Sequence, residues 1–230
     1  MKILGIDSAL GFCSAAVLDR NNSSKCFNLE FESHSEMLIP IIQRVMQDAE
    51  LPFHALDLIA VTVGPGSFTG LRAGLSAAKG LGLALDIPVH GVTTLEAVAF
   101  GAKSNPSNKG SLNIAVALDT KRDEIYFQNF NANSIAKDKA IAGSIKDIIK
   151  LLPLGPLSLC GDAAERLFAN VPESRVENIN CLNNIGKPNA KYVAKIAVNR
   201  LENPLSASPF YINPAATKQP KDKNITRPWK

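Results

Sequence analysis

The segment GPGSFTG, residues 64–70, sits between the apolar DLIAVTV and a long run of small and branched residues. Backbone N–H groups and the positive end of a helix converge at such a junction and can hold phosphate. The glycines Gly64, Gly66 and Gly70 give G-x-G-x-x-x-G, one residue longer than the dinucleotide fingerprint, and no G-x-x-x-x-G-K-[ST] occurs. The pattern alone therefore favours a turn that needs glycine for its backbone conformation. Two carboxylates are the next candidates: Asp7, closing the first apolar run, and Asp119, at the matching place in the second half. Acidic groups at strand ends hold metals or polarise nucleophiles, but they also cap turns, and the turn role is the expectation here.

Other chemistry is sparse. His34, His54 and His90 are not spaced for a metal, and Cys13, Cys26, Cys160 and Cys181 form no C-x-x-C pair. Ser67 lies in no G-x-S-x-G elbow.

The elements that must position these residues fall into two halves, with a break near residue 106. KILGID, SAAVLD and KCFNLEFE read as strands, followed by a helix over 35–50, a buried strand at DLIAVTV, a helix after the glycine turn, a strand at IPVHGV and a short helix at TTLEAVAFGA. The polar KSNPSNKGS breaks the pattern as a linker does. LNIAVALD and DEIYFQNF then restart it as a hairpin-like pair, continuing through SIKDIIKLL, LSLCG, DAAERLFANV and NAKYVAKIAVNRL. The repeated element order implies an internal duplication, with subdomains over 1–105 and 106–217. The stretch from 218 to 230, with Lys218, Lys221, Lys223, Arg227 and Lys230 against Asp222, reads as a basic tail with no period. It would add salt-sensitive phosphate contacts if it met RNA, against the bland reading of a solvated tail.

Composition excludes several classes. With 46% hydrophobic and 20% charged residues in 230, the chain can bury a sizeable core. A net charge of +4 is too small to identify a nucleic-acid binder by itself. The N-terminal segment lacks a long apolar run before Asp7, so no signal peptide or spanning helix is expected and a cytoplasmic protein is.

Two helices stand out. Small residues at Gly70, Gly74, Ala78 and Gly82 form one stripe, which permits close approach of another helix, in this chain or in a partner. Residues 33–50 offer a capping box from Ser33 to Glu36 and an apolar face of Met37, Leu38, Ile41, Ile42, Val45, Met46 and Ala49, with Pro40 predicting a late start or a kink.

Four stretches carry a resemblance that spacing does not supply. GIDSA at 5–9, HSE at 34–36, GPGSFTGLRAGLSAAKGLGLALDIPVHGVTTLEAVA at 64–99 and ALDTKRDEIYF at 117–127 resemble the TsaB family, also called YeaZ, the partner subunit in bacterial threonylcarbamoyladenosine tRNA modification. The match is long in the centre and weak beyond residue 130. It implies the actin-like ATPase (ASKHA) fold, an α/β architecture of two duplicated subdomains, each a mixed sheet with flanking helices. The catalytic relative, TsaD, resembles the same segment but carries an H-x-x-x-H metal pair after the strand matching VHGV. Those places read Thr94 and Val98 here, and neither replaces an imidazole donor. LDTKRDE likewise stands where catalytic relatives have glycine-rich phosphate turns.

The resemblance thus implies a non-catalytic pseudoenzyme with no metal ligands and no intrinsic cofactor, ATP and metal belonging to partner subunits. Its expected partners are TsaD in a heterodimer, the ATPase TsaE in a larger complex, and tRNA through that complex, with no membrane. A homodimer through the same surface is compatible with the sequence. The expected partner interface is Met37, Leu38, Ile41, Val45 and Met46 with Gly70, Gly74, Ala78 and Gly82; Asp7, Ser8, Gly64, Gly66 and Asp119 would be a vestigial nucleotide site. The competing reading is a stand-alone actin-like ATPase or kinase, or a metallopeptidase-like enzyme.

Overall fold

The computed structural model describes residues 1–19, 26–31, 35–108 and 112–212, with backbone alone for 26–31 and 35. The tail over 218–230, Ser33 and His34 lie outside the described residues. β1 (Lys2–Asp7), β2 (Cys13–Asp19) and β3 (Cys26–Phe31) form an antiparallel meander. β4 (Leu58–Gly64) pairs parallel with β1, and β5 (Val89–Thr93) parallel with β4. The second half repeats this arrangement. β6 (Asn113–Asp119), β7 (Glu124–Phe130) and β8 (Ile141–Ser144) are antiparallel, while β9 (Leu157–Cys160) and β10 (Ile179–Cys181) add in parallel on the β6 side. Strand orders are β5-β4-β1-β2-β3 and β10-β9-β6-β7-β8, so the duplication expected from element order is a duplication of topology.

Helices alternate with the parallel strands at equivalent points. α1 (Leu38–Asp48), α2 (Phe68–Leu85) and α3 (Thr94–Lys103) serve the first repeat. α4 (Ile145–Leu151), α5 (Ala164–Phe168), α6 (Glu173–Val176) and α7 (Ala190–Val198) serve the second. β8, β10 and α6 are too short to show a period in the sequence, which is why none was legible there. β11 (Leu205–Ser206) pairs with β5, so the chain returns to the first sheet and makes it six-stranded.

α1 and α2 cover one face of the first sheet, on β2, β3, β1, β4 and β5. The inner helices exchange: α3 packs Leu95, Val98, Ala99 and Ala102 against Ile114, Val116 and Leu118 of β6, while α7 packs Val193, Ala194 and Ala197 against Ile3, Leu58 and Ala60 of the first sheet. Each repeat's last helix therefore buries most of its apolar face on the other repeat. β1 and β4 are covered on both sides, which explains their almost unbroken apolar runs.

α1 starts late, as Pro40 requires. Leu38 is its first residue, so Pro40 falls in the first turn, where its missing N–H leaves no helical bond unmade. Ser33 of the expected capping box lies outside the described residues; Met37 occupies the cap position of α1 with no side-chain bond, after a single 3-10 turn over Ser35–Met37.

Candidate functional site

The first-strand carboxylates occupy equivalent places, ending β1 and β6, and their surroundings differ. Asp7 is 1% exposed. Its Oδ1 accepts from the Thr62 hydroxyl at 2.7 Å and from the Ala9 N–H at 3.2 Å. Burial, and then the Asp7 charge, push the Cys13 thiol up from its ordinary value. Ser8 is equally committed: its hydroxyl donates to the Gly70 carbonyl at 2.8 Å.

Two N–H groups of the 64–70 turn are bonded within the chain. The Ser67 N–H donates to the Ala9 carbonyl at 2.7 Å, and the Gly70 N–H reaches Ser67 Oγ at 3.4 Å. Gly64 has φ +119°, which glycine tolerates and other residues rarely adopt; a Cβ there would strike the Phe210 carbonyl, whose own N–H donates to Val63 O at 2.7 Å. Two groups at the start of α2 that would meet a phosphate are thus already bonded within the molecule. Asp7, Ser8, Gly64 and Gly66 are brought together, with a Cβ on Gly66 falling inside contact distance of Ala9 O. Asp119 stands in the second repeat.

The stripe over Gly70, Gly74, Ala78 and Gly82 does not face outward, which corrects the expected interface. A Cβ at Gly70 would strike Ser8 O, one at Gly74 would strike Ser8 Oγ, and one at Gly82 would strike Val89; Ala78 is buried. Leu38, Ile41, Val45 and Met46 are buried too, in the core cluster under α1 and α2 that holds Leu4, Ile6, Ile59 and Val61. Of the expected apolar set only Met37 reaches the surface. The small residues let α2 lie close over the 8–9 backbone; a periodicity reports closeness, not with whom. The outward ridge of α2 carries Arg72, Ser76, Gly80 and Leu83, with Leu83 87% exposed and open space at Gly80.

Asp119 is held by cations. Lys121 donates its N–H to Oδ1 at 3.0 Å and its ammonium to Oδ2 at 3.2 Å, and Arg166 lies 3.4 Å from Oδ1. Lys121 adopts φ +60°, a left-handed conformation, in the turn. Desolvation alone would raise the Asp119 carboxyl, but Lys121 and Arg166 overcome it and hold it below the usual value. Asp162, which accepts the Asp119 N–H at 2.7 Å, is pushed the other way, chiefly by burial.

These shifts have opposite signs in stability. A depressed carboxyl contributes stability at neutral pH that is lost as pH falls through its folded value, while a raised one contributes stability on the acid side that is lost as pH rises through its folded value. Asp119→Asn is therefore expected to shrink the loss of stability on acidification below about pH 4, the ordinary carboxylate value. Urea unfolding of both proteins across an acid series checks this; parallel curves would contradict it.

The mouth between the repeats is bridged. Lys187 Nζ lies 2.8 Å from the centre of the Phe12 ring, joining the β1–β2 turn to the segment before α7, and Asn105 Nδ2 donates to Asn184 Oδ1 at 3.1 Å. In α3, Val98 is buried among apolar side chains and Thr94 is buried with an unpartnered hydroxyl. Among the described residues no three His, Cys, Asp or Glu side chains converge on a common point, and no helix is long and apolar enough to cross a membrane.

A cavity of about 690 Å³ was missed by sequence reasoning. It lies between the start of α3, β7, the 134–140 segment and residues 205–212, with Phe130, Ile135, Phe210 and Tyr211 among its walls and the Glu96–Arg200 ion pair on one side. The only sequence signal was the aromatic pair after Pro209, which has no period.

The duplicated mixed sheets with exchanged inner helices define an α/β fold of two like subdomains, the architecture that the resemblance to the TsaB family implies. The family model described as TsaD, tRNA N6-adenosine threonylcarbamoyltransferase, matches residues 29–197. The chain is 32% identical over 130 residues to the tRNA threonylcarbamoyladenosine biosynthesis protein TsaB of Escherichia coli K12, covering 56% of this chain and 55% of that one. It is 27% identical over 203 residues to TsaB of Buchnera aphidicola subsp. Baizongia pistaciae, covering 84% and 87%. The match spans about half the length of the Escherichia coli relative. The solved structure of YeaZ from Pseudomonas aeruginosa superposes with a TM-score of 0.76 at 23% identity, covering 91% of this chain and 99% of that one. The chain belongs to the TsaD threonylcarbamoyltransferase family and, within it, to the TsaB (YeaZ) group.

Proposed function

We propose that this chain is a non-catalytic subunit that binds a TsaD-type catalytic subunit and holds it active while a threonylcarbamoyl group is transferred to an adenosine beside the tRNA anticodon. The observation that carries this reading is the internal use of the ancestral site. The 64–70 turn donates to Ala9 O and Ser67 Oγ, and the β6–β7 turn folds Lys121 onto its own Asp119. Thr94 and Val98, where TsaD carries imidazoles, are buried. Asp7, Ser8, Gly64, Gly66 and Asp119 are then the scaffold of a former nucleotide site, and ATP and metal act on the partner subunits, including the ATPase TsaE. The partner surface falls on the outward ridge of α2 around Gly80 and Leu83, with Leu83 87% exposed. This ridge replaces the buried stripe, and the complex works in the cytoplasm.

The test is reconstitution. Threonylcarbamoyladenosine is measured in tRNA supplied with an activated threonylcarbamoyl donor and ATP, with the TsaD-type and TsaE-type proteins of the same cell, with and without this chain. Formation is expected only with it, and the chain alone should hydrolyse no ATP. Leu83→Glu should abolish partner association and product while leaving thermal stability unchanged. Product formed without the chain, or turnover by the chain alone, overturns the reading.

A further inference from the structure

At the N-terminal end of α2, three side chains form a layered stack on the surface. The Arg72 guanidinium carbon lies 3.6 Å from the centre of the Phe68 ring, and Phe68 stacks on Tyr211 with ring centres 5.7 Å apart and an interplanar angle of 28°. Both rings are exposed, Phe68 at 43% and Tyr211 at 41%. Exposed rings in a stable chain cost solvation unless a partner covers them, so such a cluster marks a contact surface. Tyr211 and the neighbouring Phe210 also line the cavity of about 690 Å³, within the size range of small-ligand sites.

The chemistry of the stack selects its partner. Arg72 forms no ion pair among the described residues, so its charge is available at the surface. The residues that follow Tyr211 in sequence carry Lys218, Lys221, Lys223, Arg227 and Lys230 against one carboxylate, Asp222. An apolar protein helix laid on the rings would have to bury or displace that guanidinium. An unpaired nucleotide gains from both parts, with its base stacking on aromatic or guanidinium planes and its phosphate drawn to the cation. We propose that the Arg72–Phe68–Tyr211 stack and the adjoining cavity receive an unpaired nucleotide of RNA, the base entering against Tyr211 and Phe210 and the phosphate facing Arg72. The proposal rests on the RNA-modification reading above for its ligand. Arg72 stands on the same outward ridge of α2 as Gly80 and Leu83, the residues assigned to the TsaD-type partner, but it precedes Gly80 by eight residues, about 12 Å at 1.5 Å per residue, so the two sites adjoin without sharing a side chain.

Affinity is read by fluorescence anisotropy with a labelled single-stranded RNA, at fixed salt, on the full chain alone and mixed with its TsaD-type partner. Tyr211→Ala is expected to weaken RNA binding about ten-fold or more, the scale of a lost base–aromatic stack, and Phe68→Ala to weaken it by less, since Phe68 packs between Arg72 and Tyr211 and acts by holding them. Tyr211→Phe, which keeps the ring, should bind as the wild type does. All three should keep the wild-type melting temperature and partner association. Unchanged RNA affinity in Tyr211→Ala overturns the proposal. So does weakened partner association with RNA affinity retained, which would make the stack a protein contact. If the wild-type chain fails to associate with the TsaD-type protein, the functional reading fails while the anisotropy of the chain alone still decides the nucleotide site.

Discussion

Gly74→Leu is expected to unfold the chain under conditions where the wild type is stable. A Cβ at this position already overlaps Ser8 Oγ and comes within 3.7 Å of both Ser8 Cβ and Val61 Cγ2. Ser8 cannot simply swing aside, because its hydroxyl is bonded to Gly70 O one turn earlier on the same helix. A leucine would lift α2 from β1 and β4 and break that bond, and overpacking at so tight a contact costs about 3 kcal/mol or more. The comparison that gives the result its meaning is Gly80→Leu, six residues along on the outward side, where an added Cβ meets nothing. Removing an exposed glycine from a helix should be neutral or stabilising by up to about 1 kcal/mol. Urea midpoints of the two variants measure the contrast. A Gly74→Leu protein as stable as the wild type would return the stripe to the surface.

Asp7→Ala is expected to cost about 2–4 kcal/mol, since it strands the buried Thr62 hydroxyl and the Ala9 N–H together, and an orphaned buried polar group costs roughly 1–3 kcal/mol. Asp7→Asn should recover much of this, because an amide oxygen can accept from one or both donors. The free energy of urea unfolding at neutral pH reports both. A loss under about 0.5 kcal/mol in Asp7→Ala, within the range of unremarkable surface changes, would mean that the 7–9 turn is held by other groups. In a working phosphate site this carboxylate would be expected to show its main effect in turnover; here the effect is expected in stability, which separates a scaffold from a catalyst.

The sequence by itself determined a good deal. Alternating and continuous apolar runs located most of the strands and α1, α2, α3 and α7, and Pro40 set the late start of α1. These are local properties, fixed by side-chain periodicity and the missing N–H of proline. The repeated order of elements also announced the duplication, and the residue types at Thr94 and Val98 could be read directly. Partnership was not legible. The stripe at Gly70, Gly74, Ala78 and Gly82 demands a close neighbour, but whether that neighbour is a second subunit or the 8–9 backbone depends on how β1 is placed beneath α2, a contact about 65 residues away in sequence. The exchange of α3 and α7 between the repeats has the same character, because an apolar helix face is equally satisfied by either sheet and only the packing of both sheets assigns it. The Arg72–Phe68–Tyr211 stack joins residues some 140 positions apart, and no periodicity reports such a meeting. Local chemistry chose the elements; the tertiary structure decided which glycines were filled from within, which carboxylates were already bonded, and which surface was left to bind.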